Sequence, residues 1–575
     1  MFYVVRLFNK YPSKWKLLHT NAKNLAKTLT GDRVQPLTED TLTGRFLLYL
    51  GATTVPKECS DVDLNVLLKS LALEIVNYDA TLMSSILTAL DNRKFVHTKH
   101  EFNQFLHIVD RSCCNRVEEF SIEENLNLLN AFVRAYGHKI NQIQYFHLAL
   151  EKLMNQRLEL AKDQLVPIIF YIGLLKKSPE APKMLRNCLK LFSENYIQDL
   201  TKEDLCIICN STFKTGTKIA NLLLLNKIKS YINDNLSILS DPAIFVTFVK
   251  TLRHNRCQDD DILSTISCTM FFNRTLENYT FSALSHILAL YADYLYFNED
   301  VIREFTTKCL EQLKSMPYKA RDSYLTEHPR GKDIKTFLWS LSNLNHKLSR
   351  EDIENVIVPQ VELRRKFGEF DKDPGTLVQI LLYLWMMHYK ASNLIENTLT
   401  KDVVDSIKAN RLPSEKSLNL LLTCIHYEDP QLYQRLNLHP EENSKYDMKF
   451  QLNKRPILKK IVGNLKSIAI KNDIDKYKVD CQVPFINIIG ITGYQKKIYK
   501  TVNIEVLDDY TCLKNTDRVP TGLMQLKLRL LDRTNEGLVV VSINIIFKFK
   551  LWILLFFRLT NLKLKIVKIW NYMTF

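Results

Sequence analysis

The chain has 575 residues, 46% apolar and 24% charged, with only 14 Gly and 17 Pro. That length holds two to four domains of roughly 100–200 residues and a large core, and the composition excludes wholesale disorder and argues against Gly-rich phosphate loops and β-sandwiches. A formal charge of +16 points to a polyanion as partner, nucleic acid before an anionic membrane surface.

Residues 1–31 carry Arg6, Lys10, Lys14, Lys16, Lys23 and Lys27 and no acid before Asp32. Phe2, Val5, Leu7, Phe8 and Trp15 lie among these cations. An acid-free amphipathic start of this kind reads as a mitochondrial presequence. No uncharged apolar run reaches 18 residues, so no membrane span is expected. Residues 551–557 are too short and are flanked by Lys550 and Arg558. The 12 Cys are scattered, as suits a reducing compartment. Cys206 and Cys209 have no second pair to complete a zinc site and read as buried thiols.

Residues 60–320 repeat. Met83, Ile86, Leu87 and Leu90 fall at i, i+3, i+4, i+7, one face of a helix. The same template recurs at Leu165, Ile168, Ile169, Ile172, at Phe245, Phe248, Val249, Leu252, and at Leu284, Ile287, Leu288, Tyr291. Imperfect copies begin at Leu126 and Leu205, so the starts are separated by 43, 39, 40, 40 and 39 residues. Ser121 with Glu124, and Thr201 with Asp204, have capping-box spacing. A helix pair of about 40 residues cannot bury its own apolar face, but stacked pairs can, which predicts an α-solenoid with a long surface for single-stranded RNA or peptide.

Residues 320–375 are polar and read as a boundary with short helices. Two strongly apolar helices are predicted at 376–399 and 416–436. Residues 451–500 hold 11 basic residues against Asp473, Asp475 and Asp480, with Tyr477, Phe485, Tyr494 and Tyr499 interleaved. Cations neutralise phosphates and aromatics stack on bases, which makes Lys454, Arg455, Lys459, Lys460, Lys496, Lys497 and Lys500 candidate RNA contacts. The stretch 501–541 then reads as strand, acidic turn, basic helix and strand. Val502, Ile504 and Val506 alternate with Asn503 and Glu505 as in a half-buried strand. Leu523, Leu526 and Leu530 share a helical face, and Lys527, Arg529 and Arg533 fall on more exposed faces that would meet phosphate.

This order of parts resembles the Fas-activated serine/threonine kinase (FAST kinase) family of mitochondrial RNA-binding proteins. Residues 376–407 resemble its first FAST module, within 370–410, and 415–493 the second. The 501–541 stretch resembles part of its C-terminal RAP domain, with Glu505 ending a strand, Gly522 opening a helix with Lys527 and Arg529, and Gly537 preceding Leu538–Val541. The resemblance implies a mostly α protein: a helical-repeat solenoid, helical FAST modules and a small C-terminal α/β unit. It also implies mitochondrial, matrix location and a role in mitochondrial RNA processing, mRNA stability or translation. The implied partners are messenger, ribosomal or precursor transcripts and other RNA-processing or ribosome-assembly proteins. Kinase activity is rejected, because the Gly-rich loop, the His-Arg-Asp and the Asp-Phe-Gly are all missing from the sequence.

The RAP fold is similar to the PD-(D/E)xK nucleases, whose acids hold Mg²⁺ and whose Lys orients the attacking water. The matching residues are Glu505 or Asp508 for metal, then Gln525 and Lys527. Gln525 is neutral, Lys527 falls on a predicted helix rather than a strand, and Leu507 stands where many RAP sequences have an acid. Binding without catalysis is therefore expected and no cofactor; Mg²⁺ enters only on the alternative of a metal-dependent endoribonuclease. A peptide-binding scaffold is the third reading. Residues 543–575 have no acid and are rich in Ile, Phe, Leu, Lys and Asn, which suggests a translated intron or misjoined gene and a truncated RAP unit.

Overall fold

The computed structural model describes residues 68–542 except 70, 92–98, 177, 235–238, 274, 316–328, 410–413, 442–446, 470–475, 496–499 and 535. The expected presequence and the atypical tail lie outside the described residues. The described chain is mostly helical and ends in one four-stranded sheet. It divides into two compact units, residues 1–235 with 243–255, and residues 236–242 with 256–575.

In the first unit the principal helices are α1 (Ala80–Asp91), α2 (Ile122–Tyr136), α3 (Lys162–Leu174), α4 (Lys202–Thr215) and α5 (Pro242–Asn255). Neighbours in this series pack side by side, α1 on α2, α2 on α3 and α3 on α4. Thr251 of α5 donates to the Cys209 carbonyl of α4 at 3.0 Å. The apolar template positions whose side chains are described are buried because each apolar stripe faces its neighbour; the Leu90 side chain lies outside the description. Cys206 and Cys209 are buried in the same way. The predicted caps form. Ser121 Oγ accepts from the Glu124 amide at 3.2 Å while Glu124 accepts from the Ser121 amide at 2.8 Å. Thr201 and Asp204 make the equivalent exchange at 3.3 and 2.9 Å.

The second unit contains α6 (Phe281–Tyr294), α7 (Gly331–Asn343), α8 (Pro374–Met386) and α9 (Glu415–Glu428), again packed in series. The supposed boundary at 320–375 therefore contains a full member of this series. Ile334, Phe337, Leu338 and Leu341 of α7 are buried at the i, i+3, i+4, i+7 positions, as are Leu418, Leu421, Leu422 and Ile425 of α9. The polar residues that suggested a boundary lie mostly outside this stripe.

A backbone feature recurs with the helices. The residue that ends α2 through α8 adopts a left-handed φ: Gly137, Lys176, Gly216, Arg256, Leu295, Asn345 and His388. Such a residue lets the chain reverse and satisfies the last carbonyls of the helix. Only two of the seven are Gly, so the others carry about 1–2 kcal/mol of backbone strain each, which the packing must offset.

The last part of the second unit comprises α10 (Met448–Lys454), α11 (Pro456–Ala469), β1 (Lys476–Asp480), β2 (Gly490–Gln495), β3 (Lys500–Leu507), α12 (Gly522–Arg533) and β4 (Gly537–Ser542). Strand order is β1-β2-β3-β4; β2 pairs antiparallel with both β1 and β3, and β3 pairs parallel with β4. Parallel neighbours need a crossover, and α12 supplies it. The sheet begins at Lys476, inside the range assigned from sequence to the second FAST module. Leu458 and Ile461 of α11 cover one face, against Ile489, Ile491, Val506 and Val541.

Alternation along β3 sends Asn503 and Glu505 to the opposite face. The sequence reading treated that face as the open side of a half-buried strand, but Asn503 and Glu505 are buried. The reason is α12, which brings Lys527 onto Glu505. Leu526 and Leu530 are core residues as expected, with Met524 and Leu531 beside them, while Leu523 is only half-buried.

Candidate functional site

The residues singled out on 501–533 assemble into two buried ion pairs. Glu505 on β3 meets Lys527 on α12 at 2.5 Å, with neither side chain exposed. Lys527 also donates to Gln482 Oε1 at 2.6 Å and to the Ile488 carbonyl at 2.8 Å, which uses its three protons. Burial pushes the Glu505 carboxyl above its ordinary value, and the Lys527 charge opposes that rise. Burial pushes the Lys527 ammonium down, with Glu505 opposing. Gly490 makes room for this cluster. A Cβ there would collide with Glu505 Oε1 and with Gln482 Oε1.

Asp508, just beyond β3, meets Arg455 at the junction of α10 and α11, with Arg455 Nε to Asp508 Oδ2 at 2.8 Å. The other arms of the guanidinium donate to the Ile489 carbonyl at 2.5 Å and the Val506 carbonyl at 2.7 Å. Asp508 Oδ1 accepts from the Tyr510 amide at 3.2 Å and from Thr511 Oγ1 at 3.1 Å. Arg455 thus ties α11, the loop before β2 and the end of β3 together.

These residues do not fit a metal. Both acids are already paired with buried cations, and Gln525 brings no charge. Among the described residues no group of three or more His, Cys, Asp or Glu could hold an ion. Lys527 lies on a helix, as its sequence predicted.

The candidate RNA contacts separate into two sets. Arg455 and Lys527 are fully buried and cannot reach a phosphate, which corrects the expected exposure. Arg529 is largely buried as well. Its guanidinium pairs with Glu428 at 2.7 Å and donates to the Trp385 and Met386 carbonyls at 2.9 and 3.2 Å. Those carbonyls are the open C-terminal end of α8, where a cation is favoured by the helix dipole. Lys454, Lys459, Lys460 and Arg533 are exposed. Lys454 Nζ stands 4.5 Å from the ring centre of Phe450, itself 54% exposed. Lys496 and Lys497 lie outside the described residues, and only the backbone of Lys500 is described, pairing with Gln495 at the start of β3.

Sequence reading did not anticipate Gln482, Gly490 or Glu428. Arg455 was read as a surface cation because nothing local separates it from Lys454; its partner is 53 residues away.

The α/β unit sits across the ends of the series. Lys514, in the loop before α12, exchanges backbone hydrogen bonds with Leu295 and Phe297 at the end of α6, at 2.7 and 3.2 Å. Gly522 lies against the Ser342 carbonyl of α7, where any Cβ would clash. Arg529 closes α8 and pairs with the last residue of α9, and Glu428 also accepts from Trp385 Nε1 at 2.6 Å. One loop and one helix therefore meet the C-terminal ends of four successive helices, and hydrogen-bond carbonyls at two of them, α6 and α8.

Comparison with known proteins adds a distant relationship. A 304-residue stretch is 24% identical to FAST kinase domain-containing protein 5, mitochondrial, of Homo sapiens, covering 52% of this chain and 36% of that protein. The Macaca fascicularis protein of the same name matches at 24% over 303 residues, with the same coverage. That of Mus musculus matches at 21% over 342 residues, 59% of this chain and 42% of that protein. The chain thus aligns with less than half the length of these relatives and is a distant relative of the FAST kinase domain-containing proteins. No protein-family model matches it. No described helix is long and apolar enough to cross a membrane.

Proposed function

We propose that this protein is a mitochondrial RNA-binding factor that holds single-stranded transcripts and acts in mitochondrial RNA processing, stability or translation. The mitochondrial part rests on the names of its relatives. Within the first unit α1–α5, and within the second α6–α9, are each read as a repeat array that presents a surface to the partner, supported by their series packing and their recurring left-handed ends. The C-terminal α/β unit is read as a RAP-type module. Binding to other mitochondrial RNA-processing or ribosome-assembly proteins belongs to the same reading.

The observation that carries holding over cutting is the double pairing of Glu505 with Lys527 and of Asp508 with Arg455 inside the protein. A nuclease needs carboxylates available to metal and a lysine available to water. Here both acids are used to fasten β3 to its neighbours. The outward surface of the same unit is basic and aromatic, with Phe450, Lys454, Lys459 and Lys460 on α10 and α11. Tagged protein crosslinked in cells should recover mitochondrial transcripts. Recovery of none would contradict the reading.

A further inference from the structure

The first unit carries an aromatic and cationic cluster that the C-terminal reading does not use. Phe213, in the last turn of α4, is 41% exposed. Lys250 of α5 places its Nζ 5.8 Å from the centre of that ring, and the His254 ring meets it edge-on at 6.4 Å. Lys176, at the left-handed end of α3, and Lys218, just past α4, are exposed. Lys214 is half-buried. Its ammonium is held below its usual value by burial and then by the Lys176 charge.

The helix dipole explains a single cation at each C-terminal end. It does not explain an aromatic ring left 41% exposed beside the Lys250 ammonium. In the second unit the ends of α6–α9 are met by the loop before α12 and by α12 itself. At the ends of α3–α5 a stacking surface bordered by positive charge stands exposed instead.

We propose that the C-terminal ends of α3, α4 and α5 bind single-stranded RNA, with Phe213 as a base-stacking platform and Lys176, Lys214, Lys218 and Lys250 as phosphate contacts. The inference rests on the RNA-binding reading above and extends it to a surface in the other unit. Single strands fit because they offer free base faces together with phosphates. Paired RNA hides its base faces, and an acidic peptide has no base to stack.

The test is fluorescence anisotropy of a labelled single-stranded oligouridylate with the full-length protein. Phe213→Ala should weaken binding about tenfold, and Phe213→Trp should restore it. Lys176→Ala with Lys250→Ala should reduce the slope of log affinity against log salt by about 1.4. Thermal melting controls for folding; if Phe213→Ala melts early, the Trp and Lys variants carry the test. Unchanged affinity and salt slope in all variants, with the wild type binding RNA, would overturn this site alone. A wild type that binds no RNA would overturn both this site and the reading it rests on. A polyglutamate peptide that displaces the RNA, and whose own binding weakens equally on Phe213→Ala, would assign the surface to acidic protein partners and also overturn the proposal.

Discussion

Lys527 reaches from α12 onto Glu505 of β3, 2.5 Å away, and neither side chain has any exposed surface. A lone charge in such a place is strongly disfavoured, so each residue depends on the other. Lys527→Met should destabilise the protein by about 3–5 kcal/mol, because Glu505 is left buried without a cation. Combining it with Glu505→Gln should recover part of that loss. Thermal melts of the two single variants and the double variant check the order. The deficit of Lys527→Met should also shrink on acidification. Burial raises the Glu505 carboxyl above its unfolded value, so its penalty is absent below the unfolded value and appears as pH rises through the folded one.

Arg529 and Gly522 hold α12 to the helix ends. Gly522→Ala forces a methyl group into the Ser342 carbonyl, and overpacking of that kind costs about 1–3 kcal/mol or more. Arg529→Ala leaves Glu428 buried with, among the described residues, the Trp385 indole as its side-chain hydrogen-bond partner. In both variants hydrogen exchange should speed up in α12 and β4 while α1–α4 keep their protection. Uniform loss of protection along the whole chain would show that α12 is not a separable dock.

His388 ends α8 in a left-handed turn, and its imidazole is pushed down to about 4 by burial, then by Arg529 and Lys347, with Glu428 opposing. A depressed value means that the unfolded chain takes up a proton which the folded chain refuses. The stability tied to His388 is therefore full above pH of about 6.5 and is lost as pH falls toward 4. His388→Gln should flatten that acid limb in melts recorded between those values. The ring borders solvent, so the change will be modest.

Lys454, Lys459 and Lys460 are exposed cations on α10 and α11, with Lys449 also exposed on α10. Replacing all three with Ala should lower the salt slope of RNA binding by about 2, with little effect on the melting temperature. An unchanged slope would remove this face from the interface.

The helical body was legible because its apolar residues keep one template, and all six starts fall within helices. Two copies were missed for opposite reasons. Ile334 begins a full template inside a polar stretch, and Leu418 begins one inside a helix already assigned to another module. The sheet was only half visible. β3 and β4 have alternating or continuous apolar runs, but β1 reads as a charged surface, with Lys476, Lys478 and Asp480 around Tyr477 and Val479. Glu505, Asp508 and Lys527 were found as a group, yet their meaning was not. Whether a carboxylate faces metal, water or a buried cation depends on contacts such as Arg455 with Asp508, which no local pattern encodes.

The central proposal is that the protein holds RNA and does not cut it. The most direct measurement incubates the full-length protein with labelled single-stranded mitochondrial precursor RNA in Mg²⁺, captures the complex on a filter and runs the retained RNA on a denaturing gel. Holding predicts retained RNA of unchanged length, with retention falling steeply as salt rises. Shortened products that vanish with EDTA and with Asp508→Asn would contradict it, as would a filter that retains no RNA at low salt.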